Sequence, residues 1–426
     1  MANTASISAN VAGRYAQAVF DIAREQGDID ALAGQVDDLG RALTESEDLR
    51  TLTTSPLYSR DEQGRAIGAI ADRISRPAHL LGAFAFVGAL AASSMFFVAG
   101  SNWQLGVVVL ILANQCLGAS LVVYDGLLVQ ISSDDERDRV SSRGWALGYL
   151  GGGLLLAVNL VVMTMHDSLG LSTGEAVRVN LLSAGVWWGM FTIIPVLGLR
   201  DVRRVGPAVT GSLTAAVSGS VRQLRSTFAE LRHFPDTMTF LLAYLFFNDG
   251  IQTVIVSASL YGKEELGFGD SQLIVTILLV QFVAFLGALL FGRLARTMGA
   301  KRAVLLSLGL WTLVVFAAFF LPSGQFGLWL VLGVGIGIVL GGSQALSRSL
   351  YSRLVPTGRE SEYFSLYQAM ERGTSWFGTL TFGLVHQLTG SYRLSIVALV
   401  VFFALGAVLL RRVDVERGSA RARAAG

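Results

Sequence analysis

The sequence predicts an all-α, polytopic membrane protein of about ten transmembrane helices, preceded by a partial soluble helical bundle. Hydrophobic residues make up 52% of its 426 residues and charged residues only 15%, against about 25% charged residues in an ordinary soluble domain. Residues 1–66 are far more charged than the rest, with six Arg and eleven Asp or Glu. The chain is therefore predicted to join an acidic soluble segment to a membrane domain.

The first 66 residues carry the pattern of amphipathic helices. Val11, Tyr15, Val19 and Ile22 recur at helical spacing, and Gly27 ends the run. Two further helices are predicted on either side of a break at residues 53–56. Because one face of each helix is polar, this segment is not expected to enter lipid.

Ten apolar segments follow, each long enough to cross a hydrocarbon core of about 30 Å at about 1.5 Å per residue. They cover residues 79–99, 105–130, 144–165, 179–199, 238–260, 273–294, 302–321, 327–347, 364–387 and 394–411. The loops on one side of the predicted membrane, together with the chain ends next to it, carry 23 Lys or Arg residues, and Arg348 is one of them. The loops on the other side carry three. Because basic loops stay in the cytoplasm, both termini are expected to be cytoplasmic.

Two loops share a signature of small and basic residues. Small residues allow two helices to approach each other, a glycine turns the chain, and the basic residues hold the turn in the cytoplasm. The signature residues are Gly68, Asp72 and Arg73 in the first copy and Gly292, Gly299, Lys301 and Arg302 in the second. Both copies resemble the cytoplasmic-loop signature of the major facilitator superfamily, although Arg296 stands where an aspartate is usual.

Residues 134–153, 248–253 and 261–266 carry a more specific resemblance. With the loop signatures, they resemble the bacterial branch of the vacuole-effluxer-like permeases within that superfamily, over about residues 67–412. The resemblance implies a truncated major facilitator fold in the bacterial inner membrane. It also implies secondary transport of a small solute, such as an amino acid or another metabolite, by alternating access. Because the first signature normally joins spans 2 and 3, spans 1 and 2 of that fold are expected to be missing.

The front of the chain carries a different resemblance. Residues 6–73, notably 14–20 and 54–60, resemble the N-terminal domain of the bacterial ATP synthase delta subunit. This implies an alternative function, a stalk component that binds the catalytic head by contact of residues 1–66 with the ATP synthase alpha subunit. The two resemblances meet near residues 66–73, so the chain is interpreted as a chimera. Recombination, an assembly error and deliberate joining are alternatives that the sequence leaves open.

The predicted domains follow from these boundaries. In chain order they are the delta-like soluble segment 1–66, a junction 67–77, four transmembrane helices 78–199, a cytoplasmic loop 200–237, six transmembrane helices 238–412 and a basic tail 413–426.

Polar side chains within the spans are candidates for the substrate or proton pathway, because burying them in lipid is costly. Asp249 lies about eleven residues into its span, near the midplane, and its polar neighbours suggest a broken helix. A structural, hydrogen-bonded aspartate is the alternative for Asp249. The pathway candidates are Asp249, Asn248, Gln252, Asp125, Asn114 and Gln344.

Asp125, Glu371 and Arg372 lie nearer the cytoplasm and are expected either to form a cytoplasmic gate or to neutralise one another. The four histidines are scattered, so no metal site or other cofactor is expected. No nucleophile–base or phosphate-loop pattern indicates an enzyme. The expected partners are the lipid bilayer and a small-molecule substrate, without nucleic acid.

Overall fold

A computed structural model of the protein describes residues 77–99, 102–202, 231–372 and 376–425. The predicted soluble segment, the first loop signature (Gly68, Asp72 and Arg73) and most of the predicted loop 200–237 lie outside the described residues. The described residues form helices and connecting turns, without a β-strand among them, which confirms the predicted all-α fold. Its α-helices are α1 (Pro77–Ser94), α2 (Trp103–Ile131), α3 (Arg137–Thr164), α4 (Thr173–Gly198), α5 (Pro235–Glu264), α6 (Asp270–Met298), α7 (Ala300–Phe319), α8 (Phe326–Ser352), α9 (Glu360–Arg372), α10 (Trp376–Thr389), α11 (Tyr392–Ala398), α12 (Val400–Arg412) and α13 (Val415–Ala424).

Within the described residues, nine helical segments are long and apolar enough to cross a membrane, with α11 and α12 together forming one of them. The predicted span 364–387 differs from the other nine predicted spans. There the described residues form two shorter helices, α9 and α10, on either side of residues 373–375. Residues 373–375 lie outside the described residues, so the continuity of this span stays a prediction.

The helices pack as two compact units. Among the described residues, the first unit contains 77–124 and 159–202, and the second contains 125–158 and 231–425. In the first unit, α1 and α4 approach closely at glycines. A Cβ atom on Gly88 would lie 2.8 Å from Cζ3 of Trp188, and one on Gly185 would lie 2.7 Å from the carbonyl oxygen of Ala89. Small residues therefore set the distance between these two helices.

In the second unit, the glycines of α8 line its contact with α6. A Cβ atom on Gly337 would lie 2.8 Å from Cβ of Val283, and one on Gly341 would lie 2.7 Å from the backbone nitrogen of Ala288. The sequence predicts such a packing face from the four-residue spacing of these glycines, and this is confirmed. The four-residue spacing of Gly148 and Gly152 in α3 predicts a similar face, but Gly148 has no other described atom within 4 Å of a Cβ position, whereas a Cβ atom on Gly152 would lie 3.4 Å from Nε2 of Gln281.

Helix α5 is continuous over 30 residues, so the predicted break near Asp249 is wrong. Gly250 lies within the continuous helix and packs against α12, since a Cβ atom on it would lie 3.1 Å from Cβ of Phe402. Asp249 lies at the middle of this helix. This position agrees with its expected depth near the midplane of the membrane.

The second loop signature forms the turn between α6 and α7. Gly299 has φ +84°, a left-handed conformation that glycine adopts without the steric cost of a side chain. Lys301 donates hydrogen bonds from Nζ to the carbonyl oxygens of Arg411 and Val413, at 3.0 and 2.7 Å. The lysine therefore caps the end of α12, a role the loop signature by itself does not reveal.

The predicted basic tail contains a short helix, α13, whose N-cap is Asp414. Arg417 donates to both carboxylate oxygens of Asp236, at 2.6 and 2.9 Å. This hydrogen bonding raises the pKa of Arg417. The tail is thus tied to the first turn of α5 by a bidentate ion pair.

Candidate functional site

The second unit contains a chain of hydrogen-bonded polar side chains among its helices. We call it the buried polar network. Its members are Asp125 of α2, Tyr244 and Asn248 of α5, Gln344 and Arg348 of α8, and Gln368 and Glu371 of α9.

The spacing of these residues explains how they meet. Tyr244 and Asn248 are four residues apart, as are Gln344 and Arg348, whereas Gln368 and Glu371 are three apart. Residues at these spacings lie on one face of a helix. Three helices therefore each present two polar groups to the same interior region.

An ion pair lies at one end of the network. Arg348 Nη1 lies 3.2 Å from Asp125 Oδ1, and the two side chains are only 3% and 4% exposed. Arg348 Nε also donates to Ser141 Oγ at 3.1 Å, and its guanidinium lies 6.0 Å from the centre of the Trp145 ring. A buried charge is retained only when paired and hydrogen-bonded, and both conditions are met here.

Amides connect this ion pair to Glu371. Gln368 Nε2 donates to Asp125 Oδ2 at 2.7 Å and lies 3.5 Å from Glu371 Oε2. Tyr244 donates its hydroxyl hydrogen to the same Glu371 oxygen at 3.0 Å. The two carboxylates therefore share one amide donor, Gln368 Nε2.

The network continues from Glu371 to a cavity. Asn248 Nδ2 donates to the Glu371 carbonyl oxygen at 3.2 Å, and Gln344 Nε2 donates to Asn248 Oδ1 at 3.0 Å. Gln344 Oε1 is buried without a hydrogen-bond partner among the described residues, although its side chain lines the cavity. A ligand with a hydrogen-bond donor would satisfy that oxygen.

The cavity has a volume of about 300 Å³ and is bounded by α3, α5, α6 and α8. Its walls are mainly apolar and aromatic, including Trp145, Trp329 and Tyr149, while Gln252, Gln281, Gln344 and Thr276 supply polar groups. None of its described lining residues carries a charge. A predominantly apolar pocket with a few polar groups is the usual form of a small-molecule site.

Asp249 lies beside this network but faces another way. Its Oδ2 accepts a hydrogen bond of 2.7 Å from the backbone nitrogen of Gly378 in α10. Its Oδ1 is buried and has no partner among the described residues, and the residue is 1% exposed. This carboxyl group is therefore buried where α10 contacts α5, and only one of its two oxygens has a hydrogen-bond partner among the described residues.

The structure brings some of the predicted residues together and separates others. Asn248, Gln344, Asp125 and Glu371 join the network, and Gln252 lines the cavity. Asn114 is exposed in the first unit, where its side chain donates to Leu110 O of its own helix at 2.9 Å. Arg372 is exposed at the end of α9.

Sequence reasoning missed the cation of the network. It counted Arg348 among the loop bases, whereas the structure places this residue inside α8, paired with Asp125. A signal existed, because Arg348 follows an apolar glycine-rich run by only a few residues and has serines on both sides. An arginine at such a position needs a buried partner.

The fold and the site together define a class of protein. Many apolar spanning helices, a buried polar network and a pocket for a small molecule indicate a multi-pass membrane transporter. Solved structures share this fold: the fucose:proton symporter FucP of Escherichia coli has a TM-score of 0.65 at 14% identity, over 90% of this chain and 95% of that one. The proton:xylose symporter XylE, of the major facilitator superfamily, has a TM-score of 0.58 at 14% identity, over 88% of this chain and 92% of that one. At such identities the likeness shows the fold alone.

The chain belongs to the vacuole effluxer Atg22-like family, whose model matches residues 66–136 and 129–423. It is therefore an MFS-type transporter of the kind its sequence resembles. A second family model, ATP synthase delta (OSCP) subunit, matches residues 11–83. The two matches overlap at 66–83, which includes the predicted junction and agrees with the interpretation as a chimera.

Individual relatives agree with the family. The chain is 27% identical to an uncharacterized MFS-type transporter, YxiO, of Bacillus subtilis, over 83% of this chain and 81% of that protein. It is 31% identical to autophagy-related protein 22-1 of Aspergillus niger, over 66% of this chain and 48% of that protein. The chain thus spans about half the length of this fungal relative. The Bacillus subtilis relative is named as a transporter, and the two solved structures are named as symporters.

Proposed function

We propose that the chain is a secondary active transporter of a small, overall neutral solute, such as a zwitterionic amino acid or a similar metabolite, and that it works by alternating access. The cavity of about 300 Å³ supports this proposal, because its polar side chains carry amide and hydroxyl groups and none of its described lining residues is charged. Amides bind either a donor or an acceptor group of a solute, and the aromatic walls suit an apolar part.

The buried polar network acts as the gate in this proposal. Gln344 belongs to both the cavity and the network, so a solute bound at its free oxygen contacts the same amide that holds Asn248. Asp125, Glu371 and the neighbouring Arg372 are assigned to the cytoplasmic gate, with Arg348 as the cation that balances Asp125. A solute shifts such a gate only if it binds its two states with different affinity.

Asp249 is proposed as the carrier of a coupling proton. Its unsatisfied oxygen and its place at the middle of α5 support this role, because an intramembrane carboxyl group is a common proton relay. A purely structural role through the Gly378 hydrogen bond is the alternative.

Replacing Asp249 with asparagine is expected to abolish proton-coupled accumulation and leave membrane insertion intact, since asparagine keeps the shape and cannot carry the proton. Exchange of solute across the membrane without net proton movement should survive. Proteoliposomes containing the full chain and a trapped pH dye would be screened with individual amino acids, with transport followed as internal acidification or alkalinisation.

Asp270→Asn is the matched control, because Asp270 is 76% exposed beside Lys263 at a helix start. If Asp249→Asn retains accumulation with an unchanged pH dependence, Asp249 is structural. If no tested neutral solute moves protons or exchanges in the unmodified chain, the transport proposal itself is wrong for this solute class.

The orientation and the location belong to the same proposal. The loop charges support a bacterial inner membrane location with both termini cytoplasmic, and we retain the predicted domain boundaries 1–66, 67–77, 78–199, 200–237, 238–412 and 413–426. A reporter fused after Gly174 should read as external and one fused after Gly418 as cytoplasmic. A cytoplasmic reading at Gly174 would contradict this orientation.

A role at the ATP synthase stalk remains a prediction. The family match of residues 11–83 favours it, but almost all of these residues lie outside the described part of the chain. Binding through residues 1–66 predicts that the ATP synthase alpha subunit co-purifies with the full chain and not with a chain that lacks this segment. Replacement of the first two spans by this segment would also impair transport, which the proteoliposome assay on the full chain measures directly.

A further inference from the structure

A second cavity in the second unit is lined by four arginines and shares no residue with the proposed solute cavity. Arg139 and Arg143 come from the first turns of α3, and Arg293 and Arg296 come from the last turns of α6. Ser142, Gly292 and Leu289 complete its lining, and its volume is about 340 Å³. No carboxylate is among these lining residues.

The positive charges in this cavity are incompletely balanced. Arg139 pairs with Glu136, whereas Arg143, Arg293 and Arg296 have no ion pair within the part of the chain that the structure describes. Like charges around one small volume repel each other. A bound anion would remove that repulsion and would be held by several guanidinium groups, which bind phosphate oxygens in a planar, bidentate geometry.

A buried hydroxyl group also lies in this cavity. Ser142 is 2% exposed, and its Oγ has no hydrogen-bond partner among the described residues. Gly292 leaves the space beside it, since a Cβ atom on that residue would lie 2.7 Å from Ser142 Oγ. The cavity thus holds an unused donor next to the arginines.

We infer that this cavity binds the phosphate group of an acidic phospholipid. The exposed apolar surface of the same helices favours a lipid over a soluble phosphate. Leu147, one turn beyond Arg143, is 65% exposed, and Leu290, three residues before Arg293, is 44% exposed. A phosphate held by the arginines would therefore place an acyl chain along these leucines, and basic pockets between transmembrane helices are known to hold acidic headgroups in this way.

The test compares two double variants of the full chain, purified in detergent. Arg143→Gln/Arg293→Gln removes two cavity charges, and Arg411→Gln/Arg412→Gln removes two exposed charges at the end of α12. Thermal unfolding and native mass spectrometry are measured with phosphatidylglycerol, with phosphatidylcholine, and with inorganic phosphate or glycerol 3-phosphate. The unfolding midpoints measured without lipid show whether each variant is folded. If the cavity double variant is obtained in low yield, the single variant Arg296→Gln is measured in its place.

We expect phosphatidylglycerol, and not phosphatidylcholine, to raise the unfolding midpoint of the unmodified chain and of the control. In the cavity variant its apparent affinity should fall roughly 30-fold, which corresponds to about 2 kcal/mol for two arginines. Equal stabilisation of both double variants by phosphatidylglycerol, or equal effects of the two lipids, would overturn the site. Protection by glycerol 3-phosphate without protection by phosphatidylglycerol would overturn its assignment to lipid.

Discussion

Replacing Arg348 with methionine is expected to destabilise the protein by about 3 to 5 kcal/mol, because Asp125 would keep a buried negative charge without its cation. The two side chains are almost completely buried and lie 3.2 Å apart. Loss of Arg348 would also remove the donor to Ser141. The unfolding midpoint of the purified chain in detergent measures this effect, and transport should be lost together with the gate.

A double variant that also removes the charge of Asp125 tests whether this loss of stability comes from the ion pair. Asp125→Asn/Arg348→Met should be more stable than Arg348→Met alone, because it leaves no unpaired buried charge. Arg412→Met serves as the control for removing an exposed arginine. A midpoint for Arg348→Met equal to that of the control would show that the pair is not buried as described.

Replacing Gly341 with alanine is expected to cost about 3 kcal/mol, the upper end for overpacking a close contact. The added Cβ atom would overlap the carbonyl oxygen of Ala284 and lie 2.7 Å from the backbone nitrogen of Ala288. These are backbone atoms, so α6 and α8 would have to move apart. Thermal unfolding of the purified variant measures the cost.

Gly309→Ala is the matched control within the same unit. No other described atom lies within 4 Å of a Cβ position at Gly309 in α7. Alanine there should be neutral or should stabilise by up to about 1 kcal/mol through helix propensity. Similar midpoints for the two variants would mean that α6 and α8 are not held at the distance described.

The sequence was sufficient for the fold because a spanning helix leaves a strong signal in composition. Runs of about 20 apolar residues predict ten spans, and nine of these match the nine helical segments of the described residues that are long and apolar enough to cross a membrane. The tenth predicted segment, 364–387, includes residues 373–375, which lie outside the described residues, and its described parts belong to α9 and α10.

The candidate site was predictable only in part, for a different reason. The cost of burying a polar group identifies Asp125, Asn248 and Gln344 one at a time, but not their partners. The sequence assigns Arg348 to a loop, because a base near the end of a span usually lies in water. Only the structure, in which Arg348 Nη1 lies 3.2 Å from Asp125 Oδ1, shows that it is buried in an ion pair.

The sharing of Gln344 between the cavity and the network has a consequence for selectivity. The apolar walls of the cavity, such as Ile277 and Val280 of α6, make no side-chain hydrogen bond to the network, whereas the charged groups come from α2, α8 and α9. A mutation at such a wall residue can reshape the pocket for a larger or smaller solute without altering any hydrogen bond of the buried polar network. In the proposed transporter, solute preference can therefore diverge while the network proposed as its gate stays the same.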